Sequence, residues 1–93
     1  MEEKVIIIHE SNHGEIGVAQ NVKRVVYFLC NSDWLDKNLI VQYIYDEDLD
    51  DYEEKSIEED LGEDWRKKIE DMSIKEFNEY FEDIFYLEEE IVY

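Results

Sequence analysis

The sequence has no proline, one cysteine, three glycines, one alanine and two arginines. With Cys30 alone, no intramolecular disulfide can form, which excludes the disulfide-stapled class of small secreted domains and points to a reducing, cytoplasmic compartment. The scarcity of Ala, Arg and Pro beside abundant Ile, Asn, Lys, Tyr, Asp and Glu reads as the coding bias of an AT-rich genome and carries no chemistry. No apolar run approaches the about 18 residues of a membrane span, and the start MEEKVIII lacks the basic n-region and cleavage pattern of a signal peptide. Neither membrane insertion nor secretion is expected. Cations are the scarcest resource: nine Lys and Arg stand against 27 Asp and Glu, a net charge of -18 with a pI near 4.1. Such a field repels nucleic acid and anionic membrane and attracts cationic surfaces.

What is present suffices for a core. Hydrophobic residues make up 44% of the 93 and aromatics 14%, so residues 1–93 are expected to fold as a single small domain despite 39% charged residues. The charge is unevenly spread. Residues 1–45 hold six acids and four bases, net -2, whereas residues 46–93 hold the other 21 acids and five bases, net -16.

Lys4–His9 is a β-branched run and Glu15–Ala19 a second, shorter one, separated by the turn formers Ser11-Asn12-His13-Gly14; the pattern predicts a β-hairpin. Val22, Val25, Val26 and Leu29 recur at helical spacing and predict a helix ending near Asn31-Ser32. Residues 31–38 read as a turn carrying Trp34 and Leu35, and LIVQYIY (39–45) as a strand. Asp46–Glu54 shows no apolar periodicity and reads as a loop. Ser56 with Glu59 and Ser73 with Glu76 each match the S-x-x-E capping box that opens helices. The first opens a short turn broken at Gly62, followed by a helix with Trp65, Ile69 and Met72 on one face. The second opens a helix with Ile74, Phe77, Tyr80, Phe81 and Ile84 on one side and Glu76, Glu79, Glu82 and Asp83 on the other. Phe85–Tyr93 reads as a final strand, its edge guarded by Glu88-Glu89-Glu90. The expected fold is α+β, ββαβααβ, with one mostly antiparallel sheet against two to three helices.

Three motifs invite chemistry. His9, Glu10 and His13 spell H-E-x-x-H, but zinc peptidases carry it on a helix, which aims both imidazoles at one metal. Here a β-branched run leads in and Asn12-His13-Gly14 leads out, so a hairpin is expected, with at most opportunistic zinc or nickel uptake by the two histidines. Asp46, Asp48 and Asp50 have the spacing of an EF-hand loop. The position needing Gly is Asp51 and the one needing a bidentate Glu is Ile57, which leaves only weak calcium or magnesium association. Paired carboxylates for phosphodiester chemistry lack the cations to hold a polyanion. Cys30 sits at the end of an amphipathic helix with no histidine placed beside it, and reads as a packed side chain. No catalytic residue, cofactor or dedicated metal site is expected.

The bland reading of the acids is a solvated surface. Yet the excess passes the magnitude of about 2–8 that keeps a small domain soluble, and self-repulsion of that size opposes compaction. Carboxylates three and four apart on a helix also lie about 5–6 Å apart, close to the spacing of phosphates along a DNA strand. The segments DEDLDDYEE and SIKEFNEYFEDIFYLEEE, in a compact, Pro-free acidic chain, resemble the small DNA-mimic inhibitors of phages and mobile elements, the anti-restriction and anti-CRISPR proteins among them. The likeness lies in size, charge and style over the whole chain, and no family residue is carried over. It implies a non-enzymatic protein that occupies the basic surface of a DNA- or RNA-handling protein, with no direct contact to nucleic acid or membrane. The residues expected to make that contact are Asp46, Glu47, Asp48, Asp50, Asp51, Glu53 and Glu54 in the acidic run and Glu76, Glu79 and Asp83 on the last helix. Tyr45, Tyr52, Trp65, Tyr80 and Tyr86 would add contact area. The alternative is a small phage or plasmid regulatory protein whose acids are mainly solubilising.

Overall fold

The computed structural model describes residues 3–92. Its elements run β1 (Glu3–Glu10), β2 (Gly14–Ala19), α1 (Val22–Asn31), β3 (Ile40–Asp46), β4 (Asp51–Ser56), α2 (Ile57–Leu61), α3 (Trp65–Glu70), α4 (Ile74–Tyr80) and β5 (Phe85–Val92). The α+β class stands; the described residues form five strands in antiparallel sheets and four helices, in the order ββαββαααβ where ββαβααβ with two to three helices was expected. Two details of the sequence reading are corrected. Residues 51–54 of the expected loop, together with Lys55 and Ser56, form β4, and β3 pairs with it in a separate two-stranded sheet, apart from the three-stranded sheet β2-β1-β5. Tyr93, read into the last strand, lies outside the described residues.

β1 is the central strand, and its alternation sets the core: Ile6, Ile8 and Glu10 are buried, while Val5, Ile7 and His9 between them are only half covered. The 11–13 turn leads into Gly14, whose φ of 74° is the left-handed region that glycine enters without strain. In β2, Gly17 lies under α1, where a Cβ would come 2.7 Å from the Phe28 ring. A side chain at this position would have to displace that ring.

α1 starts where Asn21 Oδ1 accepts the Arg24 N–H at 2.9 Å, and buries Val25, Val26 and Leu29, the stripe the sequence predicts. It ends in a Schellman turn: Asp33 adopts φ 61° and the Trp34 N–H donates to the Leu29 carbonyl at 2.9 Å. α2 is a single turn capped by Ser56 and closed at Gly62, φ 95°. From α3, Ile69 is buried, with Trp65 and Met72 packed beside it.

Ser73 and Glu76 form the full capping box of α4. The helix stops at Tyr80, sooner than its periodicity suggests, so Glu82 and Asp83 lie in the following turn and the helical carboxylate stripe ends at Glu79. The reason is aromatic packing. Phe81 sits against Phe77 at 4.6 Å and Phe85 at 5.5 Å between ring centroids, and only a turn over 81–84 brings Phe85 into β5 opposite Glu10.

β5 is an edge strand, as its glutamates suggest. Its exposed backbone is covered in part by a side chain: Asn78 Oδ1 accepts the Leu87 N–H at 2.7 Å while Asn78 Nδ2 donates to the Leu87 carbonyl at 2.9 Å. The amide stands in for a neighbouring strand at that residue. Replacing Asn78 by Ala strands both groups in a part-buried setting, so N78A is expected to lose about 1–3 kcal/mol in urea unfolding. Asp33→Gly, which removes a side chain from a left-handed position, is expected to gain about 1 kcal/mol in the same assay.

Candidate functional site

The acidic run is a β-hairpin that stands off the body. At its base, Ser56 and Ile57 are buried, the Ile57 N–H donates to Leu39 O at 2.8 Å, and Val41 packs against the core. Beyond the base, support thins out. Almost every side chain from Gln42 to Glu54 is exposed, and among the described residues neither outer edge pairs with another strand. Seven residues of β3 span about 23 Å at strand rise, in a molecule measuring 57 × 26 × 22 Å. The radius of gyration is 14.7 Å, against about 12 Å expected for a compact chain of this length.

Register decides what each face carries. Asp46 faces Asp51, Tyr45 faces Tyr52, Ile44 faces Glu53, Tyr43 faces Glu54 and Gln42 faces Lys55. Opposite residues share a face, so one face displays Tyr43, Tyr45, Tyr52 and Glu54, and the other Gln42, Ile44, Lys55, Glu53, Asp46 and Asp51. The tip is Glu47–Asp50, with Asp50 at φ 51°, a conformation that aspartate tolerates better than most residues. Asp46 Oδ1 accepts the Asp48 N–H at 3.0 Å, and the Tyr45 hydroxyl donates to Asp50 Oδ1, which raises the Tyr45 pKa. Exposed apolar groups accompany the acids: Tyr43 is 64% accessible, Tyr52 63%, Tyr45 48% and Leu49, at the tip, 74%. Asp46, Glu47, Asp48, Asp50, Asp51, Glu53 and Glu54 therefore lie together on one projecting element.

The helical acids are divided. Glu79 and Asp83 line a cleft with Val41 and Tyr43 at the hairpin base, next to the acidic hairpin. Glu76 sits at the far end of α4, where its carboxylate accepts the Ser73 N–H at 3.3 Å, so it acts as a cap. Of the expected contact aromatics, Tyr45, Tyr52 and Tyr86 are exposed, whereas Trp65 and Tyr80 pack against the core. The Tyr80 hydroxyl donates to Asp60 at 2.7 Å, and burial together with that carboxylate pushes its pKa up. Tyr43, Ile44 and Leu49 were missing from the expected contact set. Their signal was a cluster of large apolar side chains on either side of an Asp-rich turn, with Tyr45 and Tyr52 equidistant from its centre.

His9 lies on β1 and His13 in the turn, so the zinc signature has no helix beneath it. His9 Nε2 lies 3.2 Å from Glu88, and His13 Nδ1 is bound to Glu10. Among the described residues, no group of three His, Cys, Asp or Glu side chains converges to hold a metal ion. Glu10 is instead the organiser of the turn. Only 8% accessible, it accepts from Asn12 N at 3.2 Å and Ser11 Oγ at 3.4 Å as well as binding His13, whose ring meets Trp34 edge-on at 5.1 Å. Cys30 is half-buried, and burial raises its thiol pKa despite the nearby Arg66, which disfavours the thiolate. No described helix is long and apolar enough to cross a membrane.

Comparisons with protein-family models, with curated proteins and with solved structures return no match.

The hydrogen bond to His13 holds the Glu10 carboxyl below its ordinary value, against the opposing effect of burial. A lowered folded-state value means stability that is present above the usual carboxylate range, about pH 4.3, and is lost as pH falls through the lowered value. Acidification also relieves the general self-repulsion, so the informative quantity is a difference. The stability advantage of wild type over E10Q is expected at neutral pH and to shrink below about pH 4, as read by urea unfolding of both proteins across that range.

Proposed function

We propose that this chain is a non-enzymatic, cytoplasmic binding protein whose β3–β4 hairpin occupies the basic nucleic-acid-binding surface of a DNA- or RNA-handling protein. The observation that carries the reading is the projection of seven carboxylates and three tyrosines on a hairpin with little core beneath it. A two-stranded hairpin is marginal on its own in water. This one also sets Asp46 directly across from Asp51, a like-charge pair that costs stability. A cationic partner would offset that repulsion, and the exposed Tyr and Leu side chains would supply the apolar area that charges lack. Glu79 and Asp83 extend the acidic surface from the hairpin base onto the body. The reducing cytoplasm fits a chain whose one cysteine is an unpaired, half-buried thiol.

The net charge of -18 disfavours nucleic acid as the ligand on electrostatic grounds and favours fast encounter with a basic groove. A partner captured from an extract of the source cell should be a basic nucleic-acid-binding protein, released by duplex DNA and by raised salt. The D46K/D48K/D50K/D51K variant should keep the far-ultraviolet circular dichroism of the body and bind that partner roughly 100-fold more weakly. Undiminished binding by the variant sinks the reading.

A further inference from the structure

The hairpin's two faces are chemically different, and the difference specifies what a partner should present. Tyr43, Tyr45, Tyr52 and Glu54 share one face; the other mixes Ile44, Gln42, Glu53 and the Asp46–Asp51 pair with Lys55, which lies 4.0 Å from Asp60. We propose, resting on the binding role inferred above, that the tyrosine face reads arginine rather than cationic charge in general, and that its occupant is an extended Arg-x-Arg segment of the partner.

The rings are presented for stacking. Tyr45 is held at both ends, by its hydroxyl on Asp50 and by the Tyr52 ring at 5.2 Å and 58°. Tyr43 is nearly two-thirds accessible and has no ring pair among the described residues. Each stacking ring has a carboxylate next to it, Glu54 across from Tyr43 and Asp50 on Tyr45. A guanidinium is planar, so it can lie on a ring face while its N–H groups reach the adjacent carboxylate. An ammonium is compact and strongly hydrated and gains chiefly from the charge. The same combination disfavours a nucleobase on these rings, because its phosphates would meet the carboxylates.

Spacing supplies the remaining specification. Tyr43 and Tyr45 are two residues apart on one strand, roughly 6.6 Å at strand rise. Side chains at alternate positions of an extended segment have the same period, so successive arginines in Arg-x-Arg fall on successive tyrosines. A helical segment, with same-face neighbours three and four residues apart, does not match that repeat. Charge complementarity favours this occupant over a second copy of the chain, whose own hairpin would bring like charges together.

The test uses the intact chain and two synthetic probes of equal length and charge, one repeating Arg-Thr and one repeating Lys-Thr, titrated by calorimetry at fixed ionic strength. The Arg probe is expected to bind about 10-fold more tightly. Y43A should weaken that preference, because only the Tyr45 ring is left to stack, while leaving the charge-driven binding of both probes; Y43F, which keeps the ring, should retain it in full. Y43A leaves the Tyr45–Tyr52 pair and the Tyr45–Asp50 bond in place, and its unfolding midpoint reports whether the hairpin survives. Equal affinity for the two probes, or an arginine preference undiminished in a folded Y43A, overturns the arginine reading and leaves the acidic binding role standing. Failure of both probes to bind at low salt overturns both.

Discussion

Mutual repulsion among 27 acids opposed by only nine lysines and arginines is the constraint that the rest of this structure has to accommodate. The molecule responds by keeping charge out of the interior. Ile6 and Ile8 from β1, Val25, Val26 and Leu29 from α1, and Phe77, Phe81, Phe85 and Leu87 from the C-terminal elements form one continuous apolar cluster. Among the described residues Glu10 is the one buried acid, and it is ringed by donors. The scarce cations are used locally: Arg66, Lys67 and Lys68 on α3 pair with Glu70, Asp71 and Asp64. Exposed pairs of this kind contribute little each, so the hydrophobic cluster carries most of the burden.

Repulsion also explains where the acids go. A carboxylate beside the core costs desolvation, and one surrounded by other carboxylates costs Coulomb energy. The densest group is displaced onto the hairpin, where water screens both strands and charges a Debye length from the body are largely decoupled from it. That placement leaves β3 and β4 dependent on their turn, on the Tyr45–Tyr52 contact and on the anchored base. It also leaves aromatic and carboxylate groups accessible together, the combination on which the proposed binding role rests.

The motifs with strong local meaning transferred well from sequence to structure. The helical stripe of α1, the capping box at Ser73, the hairpin around Asn12–Gly14 and the charged edge of β5 each follow from periodicity, hydroxyl–carboxylate spacing or turn chemistry within a few residues. β4 did not. DYEEKS has no apolar alternation because most of both its faces meets water, so the period that normally marks a strand is absent. The end of α4 was also misplaced: Glu82 and Asp83 continue the helical pattern, and only the packing of Phe81 against Phe77 and Phe85 turns the chain before them. Trp65 and Tyr80, counted among contact aromatics, were drawn into the core by neighbours distant in sequence.

The sequence by itself determined the α+β class, the segregation of acids into the second half and the failure of the zinc signature, since each depends on composition or on interactions a few residues long. Tertiary structure decided that the acidic run stands away from the body as a hairpin, that three tyrosines share one of its faces, and that Glu76 is a cap while Glu79 and Asp83 border the hairpin base. The reason is physical: strand register fixes which side chains share a face, and a register joining residues on either side of a turn is a property of the pairing, which neither strand encodes alone.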